Sequence, residues 1–157
     1  MKQLLIFDFD GVLCDSLQCV LKCTEKAALA LEVDATISPE AVAKLDSVTF
    51  PEIGRIAGVP EQKLHAFVEI IFSNLQQSAD SCSVFNGIPS ALVNLAAAHT
   101  IAVVTANHPD VVRTVIGNAG ALEAISSILG GDIPGNKAEK IAHLMRVFKM
   151  SAENCWI

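Results

Sequence analysis

The chain has 157 residues, 52% hydrophobic and 18% charged, with Asp+Glu 17 against Lys+Arg 11 and no tyrosine. That length is ample for an apolar core, and high apolar content with low charge excludes a disordered chain. No two basic residues are adjacent, so there is no positive stripe for nucleic acid or anionic lipid. The longest apolar run, Ala27 to Leu31, falls far short of the ~18 residues that span a membrane. Leu4 to Phe7 is likewise shorter than the roughly 7–15-residue core of a signal peptide. The cysteines, Cys14, Cys19, Cys23, Cys82 and Cys155, form no CxxC pair. Without an export signal they read as reduced thiols of a cytoplasmic protein. Cys19 and Cys23 share a helix face, but no His or Cys falls nearby at ligand spacing. Buried thiols acting as small hydrophobes are therefore expected, and not a metal site.

In chain order, Gln3 to Asp8 is a short apolar run ending in acids and Gly11, as expected of a strand buried on both faces. Leu17, Val20, Leu21, Thr24, Ala28 and Leu31 then recur at helical period. Ser38-Pro39-Glu40 and Thr49-x-Pro51-Glu52 are helix-start signals. Pro60-Glu61 opens another helix, with Leu64, Phe67, Val68, Ile71, Phe72 and Leu75 on one stripe. From about 15 to 83 the pattern predicts only helices and turns. After Phe85-Asn86-Gly87 it alternates: helix over 88–98, buried strand over 101–104, helix from Pro109 to about Asn118, and a short strand near 125–129. A helical stripe of Ile141, Leu144, Met145 and Phe148 follows, and then an apolar segment at Cys155-Trp156-Ile157. Such alternation implies βαβ units and a parallel sheet, with ligands at the carboxyl ends of the strands.

Chemistry concentrates at Asp8-Phe9-Asp10-Gly11. Spacing of i, i+2 on extended chain directs both carboxylates to one side, where they repel unless a cation or a proton relieves them. One can then act as nucleophile and the other as acid/base, although solvated acids before a glycine turn would leave the same short string.

The string LLIFDFDGVLCDS resembles the first motif of the haloacid dehalogenase superfamily, in particular its subfamily I phosphatases. The resemblance implies an α/β fold, a Rossmann-like three-layer parallel sheet, with a helical cap inserted after the first motif. It places the core at 1–14 plus 84–157 and the cap at 15–83. It makes Asp8 the nucleophile that takes up the phosphoryl group and Asp10 the acid/base. Mg²⁺ would bind the Asp8 side chain and the Asp10 backbone carbonyl. Ile101-Ala102-Val103-Val104-Thr105 matches the second motif, which holds phosphate with a hydroxyl and backbone N–H groups; Gly11, Ala106 and Asn107 would line that site. Asn107 also reads more simply as the cap of the helix that begins near Pro109. Gly135-Asn136-Lys137 supplies the third-motif lysine as Lys137, with Lys140 the alternative and, by preference, a solvated residue.

The acids of the fourth motif, which would follow a strand like Cys155-Trp156-Ile157, are missing, and the expectation is a piece of a longer protein. Asp15-Ser16 is expected to cap the first cap helix. Cap selectivity is expected near Leu45 to Pro51, a loop carrying Asp46, Ser47 and Thr49. Arg55 could meet an anionic substrate group, or simply lie on a helix surface. His108 could face the mouth of the site. Gly130-Gly131-Asp132 lacks the flanks of a phosphate loop. The implied function is a Mg²⁺-dependent phosphatase of a small phosphorylated metabolite, acting as monomer or homodimer without nucleic acid or membrane. A phosphomutase of the same family, and a catalytically incompetent fragment, are the alternatives. A dehalogenase is disfavoured because that branch lacks the second Asp.

Overall fold

The structure is a computed structural model that describes residues 2–45 and 48–157. Strand β1 (Leu4–Phe7) leads into a tight loop and then β2 (Cys14–Asp15). Helices α1 (Leu17–Ala30), α2 (Pro39–Val42), α3 (Phe50–Ile56) and α4 (Leu64–Ser78) follow. The chain continues through β3 (Ser83–Val84), α5 (Ile88–Ala96), β4 (Thr100–Val104) and α6 (Pro109–Asn118). Strand β5 (Ser127–Leu129), α7 (Lys137–Val147) and β6 (Cys155–Trp156) complete it. Two compact units result, one of Met1–Asp15 with Cys82–Ile157 and one of Ser16–Ser81.

The first unit is an α/β core around a parallel sheet of order β5-β4-β1-β6. Strand β4 is buried at every position, which requires cover on both faces. Leu4 and Ile6 of β1, with Ala102 and Val104 of β4, pack on Leu144 of α7. Ile101 and Val103, equally buried, point to the opposite face because side chains alternate along a strand. Helix α5 contacts β4, and α6 contacts β5. This is the Rossmann-like layering that the alternating pattern predicts.

The helix-only expectation for 15–83 needs correction at its ends. Cys14–Asp15 and Ser83–Val84 pair as antiparallel strands β2 and β3. Two-residue strands carry too few side chains to show a period, so sequence pattern does not reveal them. Ser16 takes the N-cap position of α1 but makes no side-chain cap bond, so its expected capping role is not realised. Ser38 and Thr49 do cap, accepting from Ala41 N–H at 3.3 Å and Glu52 N–H at 3.4 Å. Asp46 and Ser47 lie outside the described residues.

In the second unit Phe67, Ile71 and Leu75 of α4 are buried, and α4 packs against α1 and α3. Phe50 and Phe72 meet edge to face, with ring centroids 5.2 Å apart. Cys23 is buried on α1, and the hydrogen bond with Cys19, reinforced by burial, pushes its thiol far up. A thiol so disfavoured as thiolate is inert. The helix crossing depends on Gly54: a Cβ there would stand 2.8 Å from Leu64 Cδ2 and 2.9 Å from Phe67 Cδ1. Gly54→Ala should therefore destabilise the chain by about 1–2 kcal/mol, overpacking outweighing the helix propensity gained. Urea denaturation of both proteins checks this; a stabilised variant would refute the close approach.

Candidate active site

Beyond Phe7 the chain leaves β1 and folds back on itself. The carbonyl of Phe9 accepts from the N–H groups of Val12, Leu13 and Cys14 at 3.3, 3.0 and 3.0 Å, and Gly11 N–H donates to Cys14 O at 2.9 Å. Gly11 sits at φ +73°, a conformation costly to any residue with a Cβ. Phe9 is fully buried and anchors the turn. Asp8 and Asp10 flank this anchor, each with its own partners.

Asp8 Oδ1 accepts from Phe9 N–H at 2.8 Å, and its Oδ2 accepts a charged hydrogen bond from Lys137 Nζ. Lys137 opens α7, which begins in a capping box: Asn136 accepts from Glu139 N–H at 3.0 Å and Glu139 from Asn136 N–H at 2.8 Å. The helix start is thereby fixed, and with it the origin of the lysine. The ammonium supplies the neutralisation that a close carboxylate pair needs.

Asp10 turns instead to the end of β4. Thr105 Oγ1 lies 3.5 Å from Asp10 Oδ2, and Asn107 Nδ2 donates to Asp10 Oδ1 at 3.2 Å and Oδ2 at 3.3 Å. Thr105 and Asn107 are both buried, and Ala106 between them is half-buried. The structure thus gathers Asp8, Asp10, Thr105, Asn107 and Lys137 at the carboxyl ends of β1 and β4, with Gly11 and Ala106 in the adjoining turns.

Two expectations change. The cap of α6 is His108, whose Nδ1 accepts from Asp110 N–H at 3.3 Å; Asn107 is held one residue earlier. Lys140 is not solvated: it is 7% exposed and donates to Gly130 O at 2.6 Å. Its position four residues before Leu144 was the available signal, since i and i+4 share the buried face. Gly130 serves close packing, because a Cβ there would stand 2.7 Å from Asn107 O and 2.5 Å from Pro109 Cδ. Arg55, in the second unit, is held by Glu52 at 2.6 Å and Glu61 at 2.9 Å, and its hydrogen bond draws the Glu61 carboxyl below the usual range.

With this geometry in view, the sequence matches the haloacid dehalogenase-like hydrolase family over residues 5–157. The chain belongs to that family. Its fold is similar to a haloacid dehalogenase-like family hydrolase from Streptococcus pneumoniae, with a TM-score of 0.80 at 16% identity, covering 98% of this chain and 73% of that one. A protein named as a phosphoglycolate phosphatase from Lactobacillus plantarum gives 0.83 at 14% identity, covering 99% and 76%. CbbY from Rhodobacter sphaeroides, solved in complex with phosphate, gives 0.74 at 20%, covering 99% and 76%. At such identities the likeness is one of fold. No curated protein matches the sequence. Among the described residues no helix is long and apolar enough to cross a membrane.

Burial draws the Lys140 ammonium below its ordinary value of 10.5; Lys137 adds to this and Asp132 opposes it. A lysine with a lowered folded-state value binds its proton more tightly when unfolded, so the cost to stability grows as pH falls from 10.5 through that lowered value. Relative to Lys140→Met, the wild-type chain should gain stability as pH is raised from 8 towards 10.5. Paired denaturation curves across that range check this; parallel pH profiles would contradict it.

Proposed function

We propose that the chain carries the chemistry of a phosphoric monoester hydrolase acting on a small phosphorylated metabolite, with Asp8 as nucleophile. The observation that carries this reading is the Lys137–Asp8 pair standing beside a second carboxylate, Asp10, held by the end of β4. Lys137 pairs with Asp8 and brings positive charge to an arriving phosphate. An Asp8 oxygen attacks phosphorus, and the bond to the leaving oxygen breaks as that oxygen takes a proton from Asp10. Asp10, now a carboxylate, takes a proton from water; the water oxygen attacks phosphorus, releasing phosphate and restoring Asp8. The main-chain N–H of Ala106, together with the Thr105 hydroxyl, is suited to phosphate oxygens.

Mg²⁺ fits the donors present. The Asp8 carboxylate, with 35% of its side chain exposed, and the Asp10 main-chain carbonyl are hard oxygen ligands, and Mg²⁺ retains waters beside one or two carboxylates. When bound it supplies positive charge to the phosphoryl oxygens.

A second reading, a non-catalytic relative, has one observation in its favour. Among the described residues no three His, Cys, Asp or Glu side chains cluster as a metal-holding group. A phosphomutase would use the same four groups, and product analysis with a sugar phosphate separates transfer from hydrolysis. The deciding measurement is p-nitrophenyl phosphate hydrolysis with excess Mg²⁺. Asp8→Asn should lower kcat by more than about 10³-fold. Equal activity in that variant would remove the mechanism, and an inactive wild-type chain would favour the non-catalytic reading.

A further inference from the structure

From sequence, Asn107 is a candidate substrate ligand or helix cap; in the fold His108 takes the cap, and the polar groups of Asn107 are engaged elsewhere. An asparagine has a main-chain donor and acceptor, a side-chain acceptor and two side-chain N–H donors. Here the main-chain N–H donates to Thr105 Oγ1 at 3.0 Å, and the main-chain carbonyl accepts from Gly131 N–H at 2.7 Å. Oδ1 accepts from His108 N–H at 2.8 Å. Nδ2 faces the Asp10 carboxylate and donates between its two oxygens, at 3.2 and 3.3 Å. The opposite amide orientation would set oxygen against carboxylate and NH₂ against N–H, so the network itself fixes which atom is which. The residue is 1% exposed, and its main-chain N–H and carbonyl, its Oδ1 and its Nδ2 are each engaged by the protein itself.

We propose that Asn107 is a positioning residue for Asp10: its amide, anchored on its far side by the β4–α6 turn, sets the plane in which the Asp10 carboxylate meets the reacting oxygen. This rests on the reading of Asp10 as acid/base. Contact with both carboxylate oxygens from one nitrogen restricts rotation of the group, which a single contact would not do. The anchor is rigid because Gly130 lets backbone pack directly on the Asn107 carbonyl and Gly131 bonds to it. Proton transfer needs heavy atoms within about 2.6–3.2 Å of each other, and a misplacement of about 1 Å costs on the order of 10²-fold. An Asp10 carboxylate without the Asn107 contact would meet that requirement less of the time.

The test uses the full chain in three measurements. In the unmodified protein, nuclear Overhauser cross-peaks should connect the Asn107 side-chain amide protons to the Asp10 β-protons; their absence overturns the proposal. With p-nitrophenyl phosphate, Asn107→Ser should lower kcat about 10-fold while KM changes by less than about 2-fold. It should cost nothing further once Asp10→Ala is in place. A raised KM with kcat unchanged would make Asn107 a substrate ligand and overturn the assignment. So would an equal loss in both backgrounds. Should wild type lack Asp8-dependent hydrolysis, the phosphatase reading fails by itself. The contact is then decided by the cross-peaks and by the stability cycle of Asn107→Ser with Asp10→Ala, where additive effects count against it and coupling supports it.

Discussion

Leu4 to Phe7 run parallel to Thr100 to Val103, residue against residue, and that register determines which side chains can meet where the strands end. With Phe7 level with Val103, the two residues that follow bring Asp8 beyond the sheet, and the Phe9 turn carries Asp10 towards Thr105 and Asn107. A shift of one residue would turn every side chain of β1 to the other face. Leu4 and Ile6 would leave the surface on which α7 packs, so the burial of those two residues also fixes where the acids stand. Core packing and site geometry are here one constraint.

Two carboxylates separated by one residue pose an electrostatic problem, and the fold meets it by separating their partners. Asp8 is served by an ammonium from the start of α7, Asp10 by neutral donors from the end of β4. The division suits different tasks. A charged partner brings positive potential to a site for an anion, whereas neutral hydrogen bonds hold a group in place without adding a second cation. The buried Phe9 between them explains how the backbone sends adjacent acids in different directions: its side chain is committed to the core and its carbonyl gathers three N–H donors.

Lys140 shows the same economy at a greater distance from the chemistry. Buried on the α7 face that carries Leu144, it bonds the carbonyl of Gly130, the residue on which the Asn107 carbonyl packs. Helix α7 therefore contributes twice to the strand ends, once through Lys137 at the acid and once through Lys140 at the turn beside it.

Much of this was legible in the residues. The apolar run ending in Asp8, the buried strand ending in Thr105, the helix from Pro109 to Asn118 and the stripe around Leu144 follow from period and from Gly and Pro punctuation, which are local properties. The order of Asp8, Asp10, Thr105 and Lys137 identified the family, because motif order survives where overall identity does not. What sequence could not supply was partner choice. Ser16 sits where a cap should be and does not cap; Asn107 looked like a cap and holds an acid; Lys140 looked solvated and is buried. In each case the competing partners lie close together in the chain or far from it, and only the strand register and the seating of α7 decide which comes within about 3 Å. The sequence alone determined that this 157-residue chain, acidic in net charge and rich in apolar residues, folds as an α/β core with an inserted helical unit. The tertiary structure alone decided which polar group each carboxylate would find, because hydrogen bonds are short and directional while sequence pattern records only which face is apolar.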